Sequence, residues 1–277
     1  MHPLVTADAL AAELADDPPV LLDVRWRLTG PPAHDDYLTA HLPGAVFVDL
    51  DADLAGPPGP AGRHPIPEPR RLQESLRRWG VGADTPVVAY DDGGFGAARA
   101  WWLLGWAGCE QVRVLDGGYA AWLAAGLPVT DAVPHPATGD VVVCPGGRPV
   151  LDADSAARLV HDGVLLDARS GARYLGEVEP VDAVAGHIPG AVSAPATAVL
   201  DSSGRWRPVG ELRAYFADLG VTGSRPVGAY CGSGVTAAGH VLALALTGVE
   251  AALYPGSWSQ WITDDRRPVA TGRPGGD

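Results

Sequence analysis

The sequence predicts an α/β protein built from two tandem domains, each a parallel sheet flanked by helices. Three observations predict it. Four blocks occur twice in the same order: VLLDVR, HLPGA, RRWGVGADTPVVAYDDGG and VLDGGYAAW in the first half, then VLLDAR, HIPGA, ADLGVTGSRPVGAYCGSG and LYPGSWSQW in the second. Within each copy, short runs that are apolar throughout alternate with longer stretches of helical spacing. Such alternation argues for parallel strands joined by crossover helices, here twice over.

Taken in order, ADALAAELA (7–15) has the apolar spacing of a helix, and VLLDV (20–24) reads as a buried strand. AVFVDL (45–50), PVVAY (86–90) and VRVLD (112–116) read as further strands, with helices at RRLQESLRRWG (70–80) and AARAWWLLGWAG (97–108) between them. The second copy repeats the order through the helical patterns SAARLV, ELRAYFADLG and VTAAGHVLALALTG. Segment 130–140, TDAVPHPATGD, is rich in Pro, Ala and polar residues and reads as a linker. The expected organisation is residues 1–130, a linker at 131–144, and residues 145–277. The copies differ in spacing at LAGPPGPAGRHPIPEP and GEVEPVDAVAG, whose composition marks them as loops that tolerate insertion.

Composition narrows the class of function. With 277 residues and 47% apolar side chains, the chain can bury a sizeable core. No apolar run approaches the roughly 18–20 residues of a membrane span, and the N-terminus lacks the basic start of a signal peptide. The net charge is −13 and every basic side chain is Arg, a field that repels nucleic acid and anionic membranes. Cys109, Cys144 and Cys231 are widely spaced, with no C-x-x-C pair, so neither a disulfide framework nor a zinc site is expected. A reducing compartment, by default the cytoplasm, suits them. Two copies can satisfy each other within one chain, so a monomer is the simplest expectation.

The copies part company at one loop. Tyr90 is followed by Asp91-Asp92-Gly93-Gly94, whereas Tyr230 is followed by Cys231-Gly232-Ser233-Gly234-Val235-Thr236. Both loops lie between a buried strand and a helix, at the carboxyl end of a strand where α/β folds place ligands. A cysteine here faces the amides of a Gly-rich turn and the positive end of a helix, which favour the nucleophilic thiolate. A small buried hydrophobe is the competing reading.

The loop CGSGVTA (231–237), the paired D-x-R and H-[IL]-P-G-A blocks and PGSWSQW (255–261) resemble the tandem-domain rhodanese-type sulfurtransferases over nearly the whole chain. The resemblance implies two rhodanese-like domains, the first non-catalytic with Asp91 at the nucleophile position, the second carrying Cys231. The C-G-S-G-V-T loop is similar to that of 3-mercaptopyruvate sulfurtransferases, while thiosulfate-preferring relatives place basic residues in the loop. The implied reaction is ping-pong transfer through a Cys231 persulfide to a second thiol, such as reduced thioredoxin or a small thiol, or to cyanide. It calls for no metal or organic cofactor. The resemblance further implies a Ser233–His64–Asp51 arrangement, with Asp orienting the imidazole and Ser assisting protonation of the departing enolate. Because Asp51 and His64 fall in the first copy, the resemblance places that arrangement where the copies meet. Asp49, two residues before Asp51, would share its strand face. The resemblance also implies that Gly232, Gly234, Val235 and Thr236 line the donor, and Arg173 matches a family arginine that binds the donor carboxylate. The second arginine of that clamp is absent, because the chain reads Glu179-Pro180-Val181-Asp182. Arg63, beside His64, is a weaker candidate for the role.

Features present in both copies read as structural: Arg25 and Arg169, each two residues after an Asp, His41 and His187, and Trp122 and Trp261. Trp258 reads as packing, and Cys109 and Cys144 as silent. A C-x-x-x-x-x-R phosphatase reading fails because its Arg position is Ala237, and a nucleotide-loop reading of Gly94-Phe95-Gly96 meets Arg99 where a small residue is needed. Thiosulfate:cyanide sulfur transfer and a non-catalytic rhodanese-like binding module remain the alternatives.

Overall fold

Residues 1–272 are described in the computed structural model. Contacts divide the described residues into two compact units: residues 1–56, 66–148 and 201–206 form one, and residues 57–65, 149–200 and 207–272 form the other.

The first unit runs β1 (Leu4–Val5), α1 (Ala7–Asp16), β2 (Val20–Asp23), α2 (His34–Thr39), β3 (Val46–Phe47), α3 (Leu50–Asp53), α4 (Pro69–Arg78), β4 (Val87–Tyr90), α5 (Gly96–Trp106), β5 (Val112–Leu115) and α6 (Gly118–Ala124). Its five strands are all parallel, in the order β1-β5-β4-β2-β3. Every residue of β4 is buried, as a central strand covered by helices on both faces requires. Helix starts follow their caps: the Thr6 hydroxyl accepts from the Ala9 amide, and Glu68 accepts from Arg71 with Pro69 at the first helical position.

The pattern AVFVDL, read as one strand, is overturned by the same chemistry. Pairing stops at Phe47, and the Asp49 carboxylate accepts from the Asp51 and Ala52 amides, starting α3. Asp51 therefore lies in a first helical turn rather than on the same strand face as Asp49.

The second unit contains α7 (Ala153–Asp162), β6 (Val164–Asp167), α8 (Gly171–Leu175), β7 (Val192–Ser193), a 3₁₀ turn (Ala196–Val199), α9 (Val209–Asp218), β8 (Val227–Tyr230), α10 (Thr236–Thr247), β9 (Ala251–Leu253) and α11 (Ser257–Trp261). Its four strands are parallel, in the order β7-β6-β8-β9. A capping box between Asp152 and Ser155 starts α7.

The repeat is preserved down to single hydrogen bonds. Arg25 holds Asp23 while the Tyr90 hydroxyl donates to Asp23 at 2.6 Å and accepts from the Leu42 amide. In the second unit Arg169 holds Asp167, and the Tyr230 hydroxyl accepts from the Ile188 amide. His41 bonds the Tyr37 carbonyl and stacks on that ring, as His187 does with Tyr174. Trp122 and Trp261 are buried, their indole N–H groups donating to the Pro128 and Pro268 carbonyls. These shared residues tie each sheet to the loops that follow it.

His240 has no counterpart in the first copy. It is fully buried in α10, edge-on to Phe216, and burial pushes its imidazole down from 6.5 to about 4. The folded state thus prefers the neutral ring. Between pH 6.5 and 4 the unfolded chain takes up a proton that the folded one refuses, so stability falls as pH falls through that window. At pH 4.5 the expected loss is about 2–3 kcal/mol relative to pH 7. Urea unfolding at the two pH values checks this, because His240→Leu should flatten the pH dependence by that amount. An unchanged slope in the variant would assign the acid sensitivity elsewhere.

Candidate active site

Cys231 leaves the end of β8 with 3% of its surface exposed, and Gly232, Ser233, Gly234 and Val235 are buried with it. The loop curls back on the sulfur, so that the Gly234 amide donates to Sγ at 3.1 Å. Gly234 adopts φ +78°, and a Cβ there would lie 2.5 Å from the Pro255 carbonyl oxygen, so the turn requires glycine twice over. Thr236 then begins the 12-residue α10, whose positive end faces the loop.

The segment 255–261 clamps this loop from outside. The Cys231 amide donates to the Ser257 hydroxyl, while the Cys231 and Gly232 carbonyls accept from the Trp258 and Ser259 amides. Ser257 stands at φ +53°, rare for a non-glycine residue, and its hydroxyl also donates to the Tyr254 carbonyl. The matched position in the first copy is Gly118 at φ +56°, and there the Tyr119 amide meets the Asp91 carbonyl. Replacing glycine with serine at the same backbone angle is the sequence signal that could have singled out Ser257. Trp258 is buried against the guanidinium of Arg169, with its indole N–H on the Val184 carbonyl, which makes it a packing residue.

The first copy shows what the bare cradle holds. Asp91 takes the place of Cys231, and its carboxylate accepts from the Gly93 and Ala97 amides at 2.9 Å each. Burial raises its carboxyl above the usual range, and those two amides oppose the rise. In both copies the turn aims backbone amides at the side chain that opens it, Gly234 at Cys231 Sγ and Gly93 and Ala97 at Asp91.

Arg63 and His64 reach the loop through segment 57–65. Gly59 and Gly62 exchange two backbone hydrogen bonds, and Gly62, at φ +105°, lies so close to Gly256 that a Cβ would stand 2.7 Å from the Gly256 oxygen. The Arg63 amide donates to the Ser259 hydroxyl. His64, 5% exposed, then places Nδ1 2.7 Å from the Ser233 hydroxyl oxygen. Asp51 lies in the other unit, where one carboxylate oxygen accepts from the Trp26 indole N–H at 3.1 Å.

Arg173, on α8, forms a fork with Glu179 at 3.0 and 2.7 Å and reaches Asp182 at 3.0 Å. Asp182 also accepts from Arg63 at 2.7 Å. Burial alone would raise the Glu179 carboxyl, but Arg173 and the Asp182 and Val181 amides bring it below its ordinary value, so it stays ionised. Glu179 and Asp182 were not anticipated from sequence, where Glu-Pro-Val-Asp stood out only for the arginine it lacks.

The family of rhodanese-like domains matches residues 6–125 and again 152–264. This chain belongs to the rhodanese family. A Pseudomonas aeruginosa protein provisionally named a 3-mercaptopyruvate sulfurtransferase is 49% identical over 280 residues, covering 97% of this chain and 98% of that one. A Mycobacterium tuberculosis protein provisionally named thiosulfate sulfurtransferase SseB is 48% identical over 278 residues and 97% of both chains. Among solved structures, the 3-mercaptopyruvate sulfurtransferase SseA of Escherichia coli superposes with a TM-score of 0.83 at 33% identity, covering 94% of this chain and 100% of SseA. The chain is thus a tandem-domain rhodanese and a sulfurtransferase. Among the described residues no helix is long and apolar enough to cross a membrane.

Proposed function

We propose that this rhodanese moves a sulfur atom from 3-mercaptopyruvate to a thiol or cyanide acceptor through a persulfide on Cys231. The observation that carries the reading is the buried CGSGVT loop, which holds one sulfur atom under an amide and a Ser233–His64 pair beside it. The Cys231 thiolate attacks the donor sulfur; the new S–S bond forms as the donor C–S bond breaks. The bonding pair leaves on carbon as the pyruvate enolate, and the Ser233 hydroxyl, backed by His64, delivers the proton that turns it into pyruvate. Asp51 is assigned, on the motif alone, the role of orienting carboxylate. Loop amides left over from the turn, with the positive end of α10, stabilise the persulfide anion. An acceptor nucleophile then takes the outer sulfur and the Cys231 thiolate returns. Reduced thioredoxin or a small thiol fits that step in the reducing cytoplasm, where free cysteines persist.

Donor choice follows from charge. No basic residue lies in the loop itself, and the guanidinium groups of Arg63 and Arg173 are balanced by Asp182 and Glu179. That arrangement suits a single carboxylate better than the thiosulfate dianion. With cyanide as acceptor, kcat/KM for 3-mercaptopyruvate should exceed that for thiosulfate by about tenfold or more. The reverse order would overturn the donor assignment and keep the mechanism. Arg173→Ala should raise KM for 3-mercaptopyruvate about 10- to 100-fold, the worth of a charged hydrogen-bonding group, while leaving the cyanide step nearly unchanged. An unchanged KM would remove Arg173 from donor binding.

A further inference from the structure

Ser259 stands where the first copy has Ala120, so the turn and short helix of this segment do not require a hydroxyl there. In the second unit that hydroxyl has two partners. Its proton goes to the Gly256 carbonyl at 3.1 Å, and its oxygen accepts from the Arg63 amide at 3.0 Å, 196 residues away in sequence. The backbone amide of Ser259 has a partner of its own, donating to the Gly232 carbonyl at 2.9 Å, one residue past the nucleophile. A single residue of α11 thus holds the Cys231 loop through its main chain and segment 57–65 through its side chain.

We propose that Ser259 is a positioning residue for the proton-delivering pair, seating segment 57–65 so that His64 meets Ser233. The inference rests on the donor reading above, in which Ser233 and His64 protonate the departing enolate. Three constraints decide where His64 stands. Gly62, at φ +105°, packs on the Gly256 backbone with no room for a side chain. Pro65 keeps the His64 backbone out of the helical region. Between those points the peptide entering Arg63 sets the direction of His64, and its N–H is the group that Ser259 takes. His64 follows directly, 5% exposed, with Nδ1 2.7 Å from the Ser233 oxygen. A second link, from the Thr263 hydroxyl to the Pro60 carbonyl at 3.4 Å, joins the segment upstream of Gly62 and leaves the Arg63 peptide alone. Without the Ser259 hydroxyl the Arg63 amide must turn to find another acceptor, because a part-buried N–H left unpaired costs stability, and the imidazole turns with it.

Ser259→Ala deletes the hydroxyl and keeps the main-chain hold on Gly232, and Thr263→Val deletes the other link as a control. Persulfide formation is followed in single turnovers with two donors. 3-Mercaptopyruvate leaves its bonding pair on carbon, which needs a proton. Thiosulfate needs none, because the pair leaves on sulfite as the S–S bond of the donor breaks. The expected result for Ser259→Ala is persulfide formation from 3-mercaptopyruvate slowed about 10- to 100-fold, since misplacing a catalytic group by about 1 Å costs on that scale. Its thiosulfate and cyanide steps should stay within about twofold of wild type, as should Thr263→Val with both donors. Nitrogen–proton correlation spectra of the imidazoles give a readout separate from catalysis. The His64 signals, assigned by their loss in His64→Gln, should move in Ser259→Ala and stay in place in Thr263→Val. Equal slowing with both donors would show that Ser259 serves the Cys231 loop and overturn the proposal, as would unmoved His64 signals. A wild type that uses thiosulfate and not 3-mercaptopyruvate overturns the donor reading instead, and the His64 signals then decide the positioning role by themselves.

Discussion

Cys231→Ser is expected to lower sulfur transfer by at least about four orders of magnitude with either donor while leaving the protein folded. Loss of the attacking atom removes the covalent path itself, and removing a nucleophile from a catalytic group of this kind costs on that scale. The hydroxyl of serine fits the same cradle and accepts from the Gly234 amide that now meets Sγ at 3.1 Å, so the turn loses little. Incubating wild type with donor and no acceptor should add the mass of one sulfur atom, lost again on addition of cyanide, and the variant should show no such gain. A variant that kept a tenth of wild-type turnover would displace Cys231 from the mechanism. Cys109 offers no substitute, since burial pushes its thiol up to about 11 and keeps it protonated.

Why the first copy persists without a nucleophile is a question about Asp91. Its carboxylate accepts from the Gly93 and Ala97 amides of its own turn, where the second copy sets Cys231 Sγ against the Gly234 amide. The copies differ chemically at Asp91 against Cys231, Gly93 against Ser233 and Gly118 against Ser257, although the Tyr, Asp and Arg beneath each loop share one pattern. That contrast was visible in the sequence because the four blocks align and the exchange of Asp91 for Cys231 falls inside the third.

Other parts of the site were less legible, for identifiable reasons. Segment 57–65 lies in the first copy by sequence yet packs with the second unit, because Gly62 meets Gly256, Arg63 meets Ser259 and Thr263 meets the Pro60 carbonyl. Contacts between residues some 200 positions apart leave no local period to read. Asp182 was hidden differently. An acid in a Gly- and Pro-rich loop reads as a solvated charge, and only its burial between two arginines gives it a role. The over-long third strand failed through cap chemistry, since V-F-V-D-L satisfies a strand pattern until Asp49 turns its side chain back on the following amides. Where a signal was periodic or repeated it could be read; where it depended on one carboxylate finding its partners it could not.

The two D-x-R pairs make the second large effect testable with an internal control. Arg169 holds Asp167 through three side-chain contacts of 2.6–3.2 Å, donates to the Gly186 carbonyl at 2.7 Å, and neither side chain is more than 1% exposed. Arg169→Leu would leave Asp167 charged in an apolar core, an outcome that costs about 3–5 kcal/mol. For a chain of this size that is a fall of roughly 6–20 °C in the melting temperature of the second unit. Arg25→Leu should cost a similar amount in the first unit, since Arg25 meets Asp23 and the Ala40 carbonyl in the same way. The twins should part in function. Arg169 Nη1 lies 3.5 Å from Glu179, the residue that forks with Arg173, so its loss should loosen the donor clamp and raise KM in the fraction that stays folded. Arg25 touches none of those residues among its described contacts, and its variant should bind the donor as wild type does at temperatures where it remains folded. Adding Asp167→Asn to Arg169→Leu should restore about half of the lost stability, because the buried charge goes with its partner. Thermal unfolding of the four proteins decides this: a double variant no more stable than Arg169→Leu would mean that Arg169 holds the fold through Gly186 and Trp258 rather than by neutralising Asp167.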